Sequence, residues 1–475
     1  MEATLDNHDC PWRTKAEELS RHIEEQSRRI DQLERMLFGK RSEKMLSVKD
    51  SVRGPVNPEA IKDSRTKRRA ERSNIPEVRY QHAVADSEKL CPKCGGRDFK
   101  KVGEGKISTL IEFIPERLER QVHIQETLAC RCGEYMVSAE SLIRPIEGGH
   151  YGPRLMAHIV TSKCVDSMPL YRMEKQFKRA GLTLSRSTLC NLFHQTALAL
   201  KPIYDYMLAM MPSYSLVLAD ETPLPVQAET KTHKGYMWSF INDDYILYRY
   251  SRTRSSLTPS LVLQGSKGTL LADGYSGYNQ ACVPEGRLRA GCWAHARRKF
   301  FEAKVDTPEA QLVLDHIKAL YHVEYDVANL DVIGSSQHLL IRQKRAGPIL
   351  LELKQYLRDQ EGIHPPKSPM GKAIGYVLKN WDELNRFVHD PQLPLDNNAS
   401  ERALRIIALG RKNYLFAGSD DAAENLAGLY SLVASCELHG INPEHYLADV
   451  LIRVHTHPQA QLDKLLPHTW KTLGK

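Results

Sequence analysis

The apolar positions of the chain change period several times, and each change marks a predicted element. Over residues 14–38 the positions Ala16, Leu19, Ile23, Gln26, Ile30, Leu33 and Leu37 recur on alternating three- and four-residue steps, with Glu and Arg between them. This spacing predicts an a/d seam of about three heptads, hence a coiled-coil helix over 14–46 through which the chain self-associates. A lone amphipathic helix packed on its own domain is the other reading. Residues 47–75 lose the period, hold Pro55 and Pro58, and include KDSRTKRRAERSN with six positive and two negative side chains. A solvated basic linker over 47–87 fits them, as does a flexible arm laid along DNA phosphates.

Helical spacing returns over 149–210 in three segments, YGPRLMAHIVTSKC, LYRMEKQFKRAG and SRSTLCNLFHQTALALKPIY. Gly181 ends the second, and Ser185 or Ser187 can cap the third. Short helices joined by a Gly-containing turn read either as a helix-turn-helix for DNA or as a plain helical hairpin. From residue 213 the period shortens: SLVLADETPLPV, KGYMWSFIND and YILYRYSRT read as strands, followed by GTLLADGYSGYN. A helical block over about 305–392 interrupts this α/β domain, which spans 211–439 and closes with helices at 398–408 and 421–439. Residues 440–475 form a helical tail. The predicted whole is a multidomain α+β chain.

Composition narrows the class. The chain has 475 residues and a formal net charge of +8, a basic excess compatible with a nucleic-acid partner. No run of eighteen apolar residues predicts a membrane span, and the N-terminus lacks the apolar core of a signal peptide. A cytoplasmic location follows. Ten cysteines over this length do not form a secreted disulfide scaffold. Four of them stand in two pairs, Cys91 and Cys94 in CPKCGG, and Cys130 and Cys132 in CRCGE. Four thiolates with a glycine after each pair suit a closed, structural tetrahedral zinc in a ribbon-like module over 88–148. Cys164 and Cys190 read as core residues, and Cys292 near His295 as packing.

The acidic residues carry the candidate chemistry. Asp220 and Asp273 each follow an apolar run ending in Ala, and each is expected at the end of its strand. If those strands are neighbours, the two carboxylates converge, repel, and call for a cation. Magnesium, bound by one or two carboxylates plus waters and phosphate, is the natural one. Glu221 would face the opposite side of the strand. Gly274 would leave room for a metal or a phosphate. A third ligand is required, and chemistry leaves Glu401 and Glu424 as alternatives. Glu401 also has two local readings, as the capping-box partner of Asn398 and as an ion pair with Arg405.

These motifs together resemble a known family. MLFGKRSEK, the CPKCGG and CRCG pairs and PLYRMEKQFKRAGLTLSRSTL are similar to the leucine-zipper, zinc-binding and helical DNA-binding regions of the insertion-sequence sixty-six family of bacterial DDE transposases. LADETPLPV, LADGYSGYN, CWAHARRKF, LDNNASERALRIIALGRKNYLFAGS and YSLVASCELHGINPEHYLADVL resemble its catalytic domain. The resemblance implies a ribonuclease H-like catalytic fold with a helical insertion, and it matches Asp220, Asp273 and Glu401 to the DDE triad. It implies two magnesium ions, with manganese as a substitute, and DNA as the partner, both as element ends and as target. Small accessory proteins encoded by the same element are plausible further partners. Cys436 stands where a small or polar residue is expected. Arg402, Arg405, Arg411 and Lys412 become candidates for DNA-phosphate contacts, a solvated basic helix face being the alternative. A hydrolytic nuclease or resolvase without strand transfer, or a catalytically silent DNA-binding regulator, are the rival functions.

Overall fold

A computed structural model describes residues 143–282 and 286–470, two short strands, and the single positions Leu118 and Gln121. The predicted seam at 14–46, the basic stretch at 47–87 and Cys91, Cys94, Cys130 and Cys132 lie outside the described residues. The two short strands, β1 (Thr127–Ala129) and β2 (Met136–Ser138), pair antiparallel.

Three helices come next: α1 (Pro153–Cys164), α2 (Leu170–Arg179) and α3 (Arg186–Met210). Gly181, at φ +88°, turns the chain after α2, where a side chain would be strained. Ser185 caps α3, its Oγ accepting from Thr188 N at 3.1 Å. At 25 residues α3 outruns the preceding pair, and its second half enters the sheet core through Leu200, Ile203, Tyr204 and Met207. Tyr204 Oη donates to Tyr248 O at 2.9 Å. Leu189, Leu192 and Phe193 take the inner face of α3. That leaves Cys190 exposed, contrary to its expected core role, whereas Cys164 is buried.

The sheet has five strands: β3 (Leu216–Gln227), β4 (Thr232–Ile241), β5 (Ile246–Ser251), β6 (Thr269–Leu271) and β7 (Leu288–Ala290), in the order β5-β4-β3-β6-β7. The first three are antiparallel, and β6 and β7 run parallel to β3. A short helix α4 (Leu257–Val262) lies between β5 and β6. After β7 come α5 (Trp293–Ala303) and an all-helical segment: α6 (Ala310–Asn329), α7 (Ser336–Ile341), α8 (Gly347–Glu361), α9 (Pro369–Lys379) and α10 (Trp381–Asn385). The chain returns through α11 (Asn398–Tyr414), α12 (Asp420–Leu438) and α13 (Pro443–Arg453).

Two apolar cores sandwich the sheet. Val217, Ala219, Leu270 and Ala272 turn to the first, with α1–α3 and the closing helices α12 and α13. Leu218, Leu271 and Ala290 turn to the second, with α5 and the helices of the inserted segment. This alternation follows from the two-residue period of a strand. The edge strand β5 is covered by α12: Ser435 Oγ accepts from Ile246 N at 3.1 Å, and Ser431 Oγ from Tyr248 N at 2.8 Å. Those two serines answer the polar edge that a sheet otherwise leaves open. No helix among the described residues is long and apolar enough to cross a membrane.

Candidate active site

In the parallel pair β3/β6, Leu218 lies opposite Leu271. Asp220 and Asp273 each stand two residues beyond those partners. Since Leu218 and Leu271 face the second core, the period of two sends both carboxylates to that same side. Asp273 follows the end of β6, but Asp220 does not end its strand. β3 continues along β4 to Gln227 through Pro223 and Pro225. Both prolines are tolerated because the carbonyls of these residues point away from β4, Pro225 O accepting from Ala417 N at 2.9 Å, so no ladder donor is missed there. What ends at Asp220 is the neighbour: β6 pairs with β3 only as far as Leu218.

Asp220 Oδ1 accepts from Glu221 N at 2.8 Å, and Asp273 Oδ1 from Tyr275 N at 2.9 Å. Burial pushes the Asp220 carboxyl up to about 7, reinforced by the neighbouring carboxylates of Glu221, Asp273 and Glu401. Those four acids therefore share one electrostatic environment.

Glu401 sits in the first turn of α11. The turn before it is tied to both flanking elements. Asn397 Nδ2 donates to Ala219 O at 2.8 Å, next to Asp220, and Asn397 N donates to Cys292 Sγ at 3.1 Å. Cys292 is buried at the start of α5, and burial pushes its thiol up to about 12, so it serves as a neutral acceptor in packing. The capping box does not form: Asn397 occupies the cap, Glu401 N donates to its carbonyl, and Asn398 bonds Asp396 instead. The ion pair of Glu401 is with Arg298 of α5, at 2.9 Å, and not with Arg405 one turn along. His295 Nε2 lies 3.7 Å from Glu401 Oε1. Burial holds the His295 imidazole below its ordinary value, against the pull of Asp273 and Glu401. Glu424, the alternative third acid, is exposed on α12 and lies near Arg249 and Tyr204.

Glu221 turns away from Asp220 and is fully engaged. Its side chain is 1% exposed, accepting from Arg254 Nε at 2.6 Å and from Tyr278 Oη at 2.5 Å. The Arg254 guanidinium lies 4.0 Å from the Tyr275 ring centre. Gly274 does not open space for a phosphate: a Cβ there would meet the ring of Tyr376, which α9 brings over the Asp273 turn. Along α11, Arg402, Arg405 and Lys412 are exposed. Arg411 is half-buried and holds the helix to β3, its Nη1 donating to Thr222 Oγ1 at 2.8 Å and to Pro223 O. That anchoring takes it out of the free basic face.

Among the described residues, no group of three His, Cys, Asp or Glu side chains is drawn together closely enough to hold a metal ion. The donor chemistry nevertheless fits a hard divalent cation, since Asp220, Asp273 and Glu401 offer only carboxylate oxygens and the buried Asp220 favours added positive charge. The buried Nδ1 of His295 has no hydrogen-bond partner, a further polar atom beside these acids. Sequence reasoning missed His295, Arg298 and Arg254 as neighbours of the site. For the first two a signal existed: in HARRK their three-residue spacing places them on one face of a helix.

Comparison with known proteins bears on the family of the chain. Residues 148–425 match the family described as Transposase IS66 family, residues 431–468 match the IS66 C-terminal element, and residues 88–133 match the zinc-finger binding domain of transposase IS66. The chain is similar to two uncharacterized proteins of Sinorhizobium fredii (strain NBRC 101917 / NGR234). It is 31% identical to y4jD over 496 residues, covering 96% of this chain and 96% of that protein. It is 30% identical to y4hP over 489 residues, covering 93% and 88% respectively. With more than half of its length matched by one profile and three consecutive profiles in order, the chain belongs to the IS66 family of transposases.

Proposed function

We propose that this transposase cuts the ends of its element and joins them to target DNA by two-metal phosphoryl transfer, with Asp220, Asp273 and Glu401 as the catalytic acids. The observation that carries this reading is the parallel pairing of β3 with β6, which sets Asp220 and Asp273 on one face. The Asn397 bond to Ala219 brings the first turn of α11, and Glu401, to the same strand. Three antiparallel strands followed by two parallel ones support a ribonuclease H-like sheet, and α6–α10 its helical insertion.

Asp220, Asp273 and Glu401 would hold two magnesium ions, or manganese in their place, which when bound supply charge neutralisation at the attacking and leaving oxygens of an in-line displacement. The residues of the chain do the positioning. The Glu221 and Tyr275 N–H groups fix one oxygen each of Asp220 and Asp273. Arg402, Arg405 and Lys412 present a basic face along α11 for DNA phosphates. In the first displacement water attacks a phosphorus at the element end and a 3′-hydroxyl leaves. In the second that hydroxyl attacks a target phosphorus. Each step exchanges one P–O bond for another, so no Ser or Tyr nucleophile is required. In the N-terminal region, Cys91, Cys94, Cys130 and Cys132 would hold one structural zinc, and the 14–46 seam would join copies of the chain. Small proteins encoded by the same element are candidate partners.

The test is a cleavage and strand-transfer assay on DNA carrying the element ends, comparing wild type with Glu401→Ala. Wild type should cut and join, and the variant should lose both by at least a hundredfold, the scale of losing a transition-state electrostatic contact, about 10²–10³. Cleavage without joining would identify a hydrolytic nuclease. Unchanged activity in Glu401→Ala and Asp220→Ala would remove the triad.

A further inference from the structure

Arg298 Nη2 donates to both oxygens of Glu401, at 2.9 Å to Oε1 and 3.2 Å to Oε2. The guanidinium therefore lies across the carboxylate that the proposed function assigns to a divalent cation. Arginine and cation are rivals for the same lone pairs, and one carboxylate cannot fully serve both. The Arg298 side chain is 51% exposed and that of Glu401 32%, so the pair stands at the rim of the site and can part at little cost. Arg298 is flanked on α5 by Arg297 and Lys299, and the exposed Arg402 follows Glu401 on α11. An arginine released at that rim meets a surface already suited to polyanions. Its planar fork matches a phosphate better than any other side chain.

We propose that Arg298 is a DNA-phosphate ligand whose availability is set at Glu401: a cation on that carboxylate frees the guanidinium for the backbone of the bound strand. The inference rests on Glu401 being a cation ligand, as proposed above. It couples two binding events, so metal strengthens the hold on DNA and DNA strengthens the hold on metal, by the same factor.

Two measurements on the full chain test this without turnover. The first is manganese affinity in the absence of DNA, read by electron paramagnetic resonance. Arg298→Ala should tighten it about two- to fivefold, the worth of a partly exposed ion pair. Lys299→Ala, which removes a neighbouring positive charge that packs on the Tyr376 ring, should change it less. The second is the salt dependence of affinity for a duplex carrying the element's terminal sequence, in EDTA and in calcium. For wild type the log–log slope should steepen in calcium by about 0.9, one phosphate contact. In Arg298→Ala that increment should vanish.

An increment that persists in Arg298→Ala overturns the inference. So does equal tightening of manganese binding by Arg298→Ala and Lys299→Ala, which would reflect general charge. If wild type binds manganese no better than Asp220→Asn, the reading of the acids as a metal site fails, and the inference falls with it.

Discussion

Asp220 is the residue where burial and the proposed function pull in opposite directions. Its carboxyl is pushed up to about 7 in the fold, against about 3.9 in an unfolded chain. The folded state therefore binds this proton more tightly than the unfolded state. The resulting stability is fully present below about pH 4 and is lost as pH rises through about 7. In EDTA, Asp220→Asn should raise the melting temperature more at pH 8 than at pH 4, with an upper bound of ~4 kcal/mol at the higher pH. Equal shifts at both pH values would show that this charge is not felt. Gly274 makes a second case at the same scale. A methyl group there meets the Tyr376 ring, so Gly274→Ala should cost about 1–3 kcal/mol. Adding Tyr376→Ala should give less loss than the sum of the single variants. Strict additivity in the double-mutant cycle would mean that the ring is not the obstacle.

At the scale of elements, the helical segment between α5 and α11 packs around the second apolar core and carries one buried arginine. Arg342, 1% exposed, donates to Glu324 through Nε at 2.8 Å and Nη2 at 2.7 Å, and through Nη1 to the carbonyls of Phe387 and Asp390. It thus joins α6 to the return towards α11. Removing one partner of such a pair typically costs about 3–5 kcal/mol, because the other is left uncompensated. Arg342→Ala should speed amide hydrogen exchange over residues 310–390 well before that of β3 and β4. A uniform acceleration across both cores would show that the segment does not open by itself. The same scale explains Asp220. The apolar run before it placed it at a strand end, but β4 pairs with β3 from Leu218 on to Gln227. The expected end belongs to β6, whose pairing with β3 stops at Leu218 and Leu271.

The whole chain joins a zinc-finger binding domain, matched at residues 88–133, to the transposase region that follows. If Cys91, Cys94, Cys130 and Cys132 form one closed shell, the purified protein should carry one zinc per chain, and Cys94→Ser should lose it. Metal analysis by mass spectrometry reads this directly, and zinc retained by Cys94→Ser would break the assignment. Within the described residues, one core runs through α1–α3, a face of the sheet, and α12 and α13. The three helices at 153–210 thus share their core with the sheet, because the second half of α3 buries its apolar side against it.

Much of this was legible in the chain itself. Period and turn residues gave the strands around Asp220 and Asp273, and the Gly181 turn with a serine cap after it, which the structure places at Ser185 rather than Ser187. Motif order identified the family, because long motifs in a fixed sequence are not reproduced by composition alone. Local pattern failed where a choice depended on a distant partner. Glu401 could be a capping residue or a site residue; the bond from Asn397 to Ala219 ties the turn before it to β3, and Arg298 of α5 takes its carboxylate. Cys190, expected in a core, is exposed, and Arg411 is drawn onto β3, because which helix face is buried depends on what packs against it. Residue type and spacing fixed the available chemistry, four thiols and a set of carboxylates. Which carboxylates come to the same side of the sheet was decided by tertiary structure, since the parallel register of β3 with β6 and the return of α11 bring together residues far apart in sequence.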